Sequence, residues 1–157
     1  MNTLIAYDSQ YGNTERIAQE IGESLSALGR ARAVRVDAVR ASDLEDVELL
    51  FIGSPTQGWR PTQTIQSYLR SPSFDQLRGA HVACFDTRFQ KPRWLTGSAA
   101  GVMAKRLRER GIEPAAEPTS FFVGGTEGPL LNGEVERAKA WAMGIARRLA
   151  PLPTAQR

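Results

Sequence analysis

The sequence predicts an α/β fold, a doubly wound parallel sheet with helices on both faces. Three observations carry this. Short apolar runs alternate with helix-like patterns along the 157 residues, the arrangement that builds a parallel sheet. Several of those runs are apolar throughout, as strands covered on both faces must be. Loops of unusual chemistry follow the ends of three of them, where ligands bind in such sheets.

The first run is "TLIAY", residues 3–7, a buried strand. The Gly12 loop follows, then a helix with Ile17, Ile21, Leu25 and Leu28 on one face, ended by Gly29. "AVRVD", 33–37, alternates and reads as a strand nearer an edge, and "DLED" turns the chain into the buried strand 47–53. The loop "SPTQGWRPT" leads to a helix carrying Ile65, Tyr68 and Leu69, stopped by Pro72. "AHVACFD", 80–86, is a further buried strand. "TRFQKPRWLTG" has too many cations, and a proline, to be regular. Helix 98–110 turns Val102, Met103 and Leu107 inward and ends at Gly111. "SFFVGG", 120–125, is the last strand, and a loop with Gly128 and Pro129 precedes helix 134–149. That helix has one apolar face, made by Val135, Ala138, Trp141, Ala142, Ile145 and Leu149. Residues 1–150 are expected to form a single domain and 151–157 a flexible tail.

Composition narrows the chemistry. One cysteine, Cys84, gives neither an internal disulfide nor a thiolate metal cluster and reads as a core residue. The single histidine, His81, stands at the head of the same run, and no G-x-S-x-G occurs, so hydrolytic and metal chemistry are poor candidates. No apolar run is long enough to span a bilayer, and no signal segment follows Met1, so a cytoplasmic protein without membrane insertion is expected. The net charge is +3 with a pI near 9.4. Arg106, Arg108 and Arg110 make a solvated helix face with few interleaved aromatics, so no nucleic-acid partner is expected.

Three loops then converge at strand carboxyl ends. In the first, Ser9, Tyr11, Asn13 and Thr14 surround Gly12 at the start of a helix, with no Lys or Arg before Arg16. Open backbone N–H groups, a helix dipole and neutral donors can hold an anion without a cation. The alternative is a plain helix cap. The phosphate loop G-x-x-x-x-G-K-[ST] and the dinucleotide fingerprint G-x-G-x-x-G are both absent. A receiver domain would need an aspartate where Gly53-Ser54 stand. In the second loop Gln57-Gly58 reads as the centre of a type II turn, pushing Trp59 outward between Pro55 and Pro61. The third offers Phe89 or Trp94 as a second aromatic face and Arg88, Lys91 and Arg93 as cations. An anion nest between aromatic walls suits a planar aromatic phosphate, a mononucleotide-like cofactor.

These residues resemble a known family. "LIAYDSQYGNTERIA" is similar to the flavodoxin signature, and "GSPTQGWRPT" to the second flavin loop of the same family. The likeness runs from residue 3 to about 149, in the short-chain form. It implies a flavodoxin-like five-stranded sheet of order 2-1-3-4-5 holding FMN noncovalently. Ser9, Gln10, Tyr11, Gly12, Asn13 and Thr14 would cradle the phosphate. Pro55, Thr56, Gln57, Gly58 and Trp59 would flank the isoalloxazine, with Thr56 or Ser54 near the ribityl chain. Asp86, Thr87, Arg88 and Phe89 would close the other side, and the peptide at Gln57-Gly58 would turn toward the reduced ring.

The resemblance implies an electron carrier working in one-electron steps with a redox partner protein, reductase or acceptor, as a monomer or weak dimer. Two alternatives stand beside it: an FMN-dependent NAD(P)H or quinone reductase, and a flavin-free binding module on the same scaffold. The chain departs from the family in being basic and in reading "FDTRF" at the third loop, where Gly-x-Gly-Asp is usual. An acidic partner is therefore expected. A cation about 8 Å from the flavin at an effective dielectric near 20 contributes roughly 2 kcal/mol, or about 90 mV. The couple of the fully reduced flavin is therefore expected to lie above that of acidic flavodoxins.

Overall fold

The computed structural model describes residues 1–77 and 79–150; the expected tail lies outside them. Five strands, β1 (Asn2–Tyr7), β2 (Arg30–Arg35), β3 (Leu49–Pro55), β4 (His81–Phe89) and β5 (Thr119–Val123), form one parallel sheet. Their order is β2-β1-β3-β4-β5. The helices are α1 (Asn13–Leu25), α2 (Gln63–Leu69), a single turn α3 (Arg93–Thr96), α4 (Ala99–Glu109) and α5 (Glu134–Leu149). Among the described residues no helix is long and apolar enough to cross a membrane.

Strand parity sorts the core into two layers. Leu4, Leu50, Ile52, Val82 and Cys84 face Ile65, Leu69, Met103 and Leu107 of α2 and α4. Ile5, Phe51, Phe85 and Phe121 face Ile17, Ile21, Ala138 and Ala142 of α1 and α5. Trp141 packs edge-on against Phe51, Phe85 and Phe121, with centroids 5.4–6.2 Å away. Each fully buried Leu, Ile or Phe contributes about 1.5–3 kcal/mol relative to exposure, so both layers anchor the sheet between its helices. Cys84 belongs to this core, and burial pushes its thiol up to about 12.

Three boundaries differ from expectation, each because pairing overrides local pattern. β2 runs 30–35, since its register follows β1 from Asn2↔Arg30 to Tyr7↔Arg35 and stops where β1 stops. Val36 then turns inward in a 3₁₀ turn. β3 begins at Leu49 and continues to Pro55. β4 extends past Asp86 through Thr87 and Arg88 to Phe89, residues expected to be irregular. β5 supplies its ladder partners from Phe85↔Thr119 to Phe89↔Val123, and a paired backbone tolerates cations that would end an isolated strand. Val102 is only half-buried; Ala104 is fully turned in.

The strand order reverses between β1 and β3. Chain leaving their carboxyl ends diverges to opposite faces there, which opens a crevice.

Candidate functional site

The first wall is the turn from β1 into α1. Asp8 N–H bonds Gly53 O at 3.0 Å, tying the turn to β3. Gly12 occupies the N-cap position at φ 91°, a left-handed conformation that costs an L-residue strain. Its N–H donates to Ser9 Oγ at 3.0 Å, leaving the Ser9 hydroxyl proton free. No side chain caps α1, so the first-turn N–H groups of Asn13, Thr14 and Glu15 stay open. Thr14 and Thr87 share a hydroxyl–hydroxyl bond of 2.8 Å, and one of those two protons also remains available. Asn13 Nδ2 donates to Glu127 O at 3.2 Å, anchoring the loop after β5.

A cation does stand behind this loop, but its charge is spent there. Arg35 donates to Ser9 O at 2.9 Å and pairs with Glu15 at 3.1 Å and Asp8 at 3.6 Å. The Tyr7 hydroxyl also donates to Glu15, at 2.9 Å. Burial, with the Glu15 carboxylate beside it, raises the Tyr7 pKa. The cluster fixes the loop's carbonyl side and neutralises the acid in the helix's first turn.

The second wall follows β3. Ser54 is fully buried; its Oγ accepts from Thr62 N at 3.1 Å and donates to Pro55 O. Gln57 and Arg60 exchange both backbone bonds, at 2.8 and 3.1 Å, across Gly58 (φ 54°) and Trp59 (φ 66°). Two positive φ values inside a reciprocal pair are the signature of a type I′ hairpin turn, whose twist suits flanking extended chain. The expected type II turn at Gln57-Gly58 is therefore corrected to a type I′ turn one residue later. Trp59 bridges Gly97 through its backbone and leaves its ring mostly exposed. Gln57 Nε2 donates to Gln10 Oε1, joining the first two walls.

The third wall is the end of β4, where alternation decides which side chain faces where. Thr87 and Phe89 border the crevice. Asp86 points the other way and is fully buried; its Oδ2 accepts from Ser98 Oγ at 2.6 Å and Ala100 N at 2.9 Å. Arg88 is also buried. Its Nε donates to Ser120 Oγ at 2.8 Å and its Nη1 to Lys91 O at 2.7 Å and Thr96 Oγ1 at 3.0 Å. The guanidinium lies 5.2 Å over the Phe122 ring.

Together the walls enclose a cavity of about 270 Å³. Of the residues singled out in the sequence, Ser9, Gln10, Tyr11, Asn13, Thr14, Pro55, Thr56, Gln57, Gly58, Trp59, Thr87, Arg88 and Phe89 line it. Gly12, Ser54, Asp86 and Trp94 do not: Gly12 shapes the turn, Ser54 and Asp86 face inward, and Trp94 stands 77% exposed outside. Leu95, Thr96, Val123 and Thr126 line it without having been singled out. Val123 and Thr126 had a signal, since the β5 loop also leaves a strand carboxyl end. Among the described residues Arg88 is the only charged lining residue, and no carboxylate is present.

A family model described as Flavodoxin matches residues 5–141. No curated protein matches the chain significantly. Among solved structures, oxidised Flavodoxin 1 from Bacillus cereus superposes with a TM-score of 0.76 at 20% identity, covering 96% of this chain and 100% of that one. A flavodoxin from the domain Archaea gives 0.75 at 18% identity, covering 95% and 99%. Rubredoxin oxygen:oxidoreductase from the anaerobe Desulfovibrio gigas gives 0.73 at 22% identity, over 94% of this chain but 36% of that longer one. At these identities the structural matches speak for the fold.

Proposed function

Because the chain belongs to the flavodoxin family, we propose that it is an electron-transfer flavoprotein that holds FMN in this cavity and works in one-electron steps. One observation carries the reading: the cavity joins an uncapped helix N-terminus to exposed aromatic side chains. Those are the two halves of a flavin mononucleotide's requirements, an anion nest and apolar walls.

The donor set fits the group. The open N–H groups at Asn13, Thr14 and Glu15, with the free protons of Ser9 and the Thr14–Thr87 pair, would hold the phosphate. Trp59 would cover one side of the ring and Phe89 the other; Phe89 is preferred to Trp94 because it borders the cavity. Bound FMN would supply the electron-accepting ring, and the protein sets how readily it does so. Arg88 borders the cavity without a carboxylate among the lining residues. Nothing there repels negative charge on a reduced ring, which supports a potential above that of acidic flavodoxins. Gly58 within the turn keeps reorientation of its peptide inexpensive, so a backbone carbonyl there would be able to turn toward a bound ring and accept a hydrogen bond from it.

The test is titration of the purified chain with FMN, read by ligand fluorescence and by melting temperature. Fluorescence should quench to a stoichiometric endpoint, and FMN at about 100 times Kd should stabilise the fold by roughly 2.7 kcal/mol. A one-electron-reduced absorption should accumulate during photoreduction. Unchanged fluorescence and melting at saturating FMN would remove the reading, and direct passage to full reduction would favour a reductase.

A further inference from the structure

The cavity does not account for what surrounds its mouth. Every exposed large apolar side chain among the described residues, Tyr11, Trp59, Phe89, Trp94 and Leu95, lies at this end of the sheet. Trp94 is the most exposed of them and does not line this cavity. Its segment is nonetheless fixed. Arg88 Nη1 binds Lys91 O and Thr96 Oγ1, and Gly97 N–H closes the turn on Arg93 O at 2.6 Å. A large side chain carried on a fixed backbone leaves less ordering cost to a contact.

Charge on this side is one-signed. The two loop segments that carry the rim, 54–62 and 87–98, hold Arg60, Arg88, Lys91 and Arg93 and no Asp or Glu. Asp86, just before the second of them, is fully buried. Arg60, Lys91 and Arg93 are exposed beside Trp59, Trp94 and Leu95, above the buried Arg88. Glu127, from the loop after β5, is the exposed acid on the opposite lip.

We propose that Trp94 and Leu95, ringed by Arg60, Lys91 and Arg93, form a docking surface for a partner protein that presents carboxylates around an apolar contact. Like charges on the same face oppose isologous pairing with a second copy. An aromatic anchor within a cationic rim matches the composition of interface hot spots, and the field would steer an acidic partner toward the cavity mouth. The proposal rests on the flavoprotein reading only for what the partner would exchange, since the surface exists with or without FMN.

The experiment titrates the isotopically labelled full chain, FMN-free and FMN-saturated, with a small acidic plant-type [2Fe–2S] ferredoxin at low salt, and with basic cytochrome c as the opposite probe. Saturable amide shifts from the ferredoxin should cluster at residues 59–60 and 89–95 and fade toward about 0.15 M salt. Cytochrome c should leave those amides in place. Lys91→Glu with Arg93→Glu should weaken the ferredoxin at least ~10-fold and flatten the salt dependence, with FMN affinity held within about twofold; Trp94→Ala should weaken it at least ~10-fold. Shifts that are absent, lie elsewhere or follow cytochrome c equally would overturn the proposal. So would a Trp blue shift and co-sedimentation on phosphatidylserine vesicles, or self-association abolished by the double charge reversal. Because the mapping works without flavin, its failure is distinguishable from a failure to bind FMN.

Discussion

Two helix N-termini stand at the same edge of the sheet and are finished in opposite ways. At α4 every early donor is taken within the protein: Ala99 N–H by Thr56 Oγ1 at 2.9 Å, Ala100 N–H by Asp86 and Gly101 N–H by Ser98 Oγ at 3.2 Å. The helix carries its own buried anion. At α1 the N-cap is Gly12, no side chain caps the turn, and the one acid nearby, Glu15, is drawn onto Arg35 and Tyr7. Both ends have the same dipole and the same need for acceptors. The fold has satisfied one internally and left the other to an outside anion, and the open one borders the cavity.

Giving α1 what α4 already has should destroy that difference. In Gly12→Asp the new side chain meets open space, because a Cβ built at Gly12 has no neighbour within 4 Å. The cost of positive φ, about 1 kcal/mol, is largely offset by the new cap, so the FMN-free stability should move by no more than about 1 kcal/mol. A carboxylate about 4 Å from a phosphate charge costs roughly 4 kcal/mol at an effective dielectric near 20, so FMN affinity should fall at least ~100-fold. Urea melts read the first effect and calorimetric titration the second. Affinity within a few-fold of the parent would mean that α1 is simply an uncapped helix.

The converse change removes the anion from α4. Asp86 is fully buried, with Oδ2 doubly bonded and Oδ1 unpartnered. Asp86→Ala leaves the Ala100 N–H and the Ser98 hydroxyl without an acceptor, at a cost of about 3 kcal/mol in urea unfolding. Asp86→Asn keeps an acceptor and should lose less. A loss under about 1 kcal/mol in the alanine variant would show that α4 does not depend on its internal carboxylate.

How much of this was legible follows from the same pair of sites. The α1 turn could be read because its signal is local: a strand, a glycine, small donors and a helix in consecutive residues, and no cation needed. The sheet order came with the family resemblance, and the helices came from apolar spacing. Asp86 ends the strand that local pattern marks and shares the parity of Cys84. Its expected place beside the cofactor came with the family resemblance, which carries no parity, and the structure binds it to Ser98 and Ala100 instead. Once β4 runs to Phe89, alternation puts Cys84 and Asp86 on the α4 side and Thr87 and Phe89 toward the crevice. Only the ladder with β5 keeps that strand going past Asp86 and through Arg88, and pairing partners 34 residues apart leave no mark in the local sequence. The turn at Trp59 failed for a similar reason, since the Gln57–Arg60 exchange, rather than the position of Gly58, sets its centre.

A third N-terminus, that of α5, sharpens the comparison with the smallest effect. Its N-cap is Gly133, also left-handed and without a side-chain cap, so by local geometry it matches α1. Here, however, Glu134 is buried in the first turn, accepting from Phe122 N at 2.7 Å and pairing with Arg137 at 2.6 Å. Burial pushes the Glu134 carboxyl up, but Arg137 and the Phe122 N–H outweigh it and leave its pKa below the usual glutamate value. A carboxyl lowered in the folded state stabilises the fold above its unfolded pKa, near 4.3. That contribution is lost as pH falls through the folded value. Glu134→Gln retains an acceptor for Phe122 but loses the charge, and Arg137 is partly in solvent, which screens the pair. The variant should therefore be about 1 kcal/mol less stable at neutral pH, with the gap closing below about pH 4. Urea melts across that range give the slope, and a gap that stays constant would show that α5, like α1, does not draw on an anion of its own.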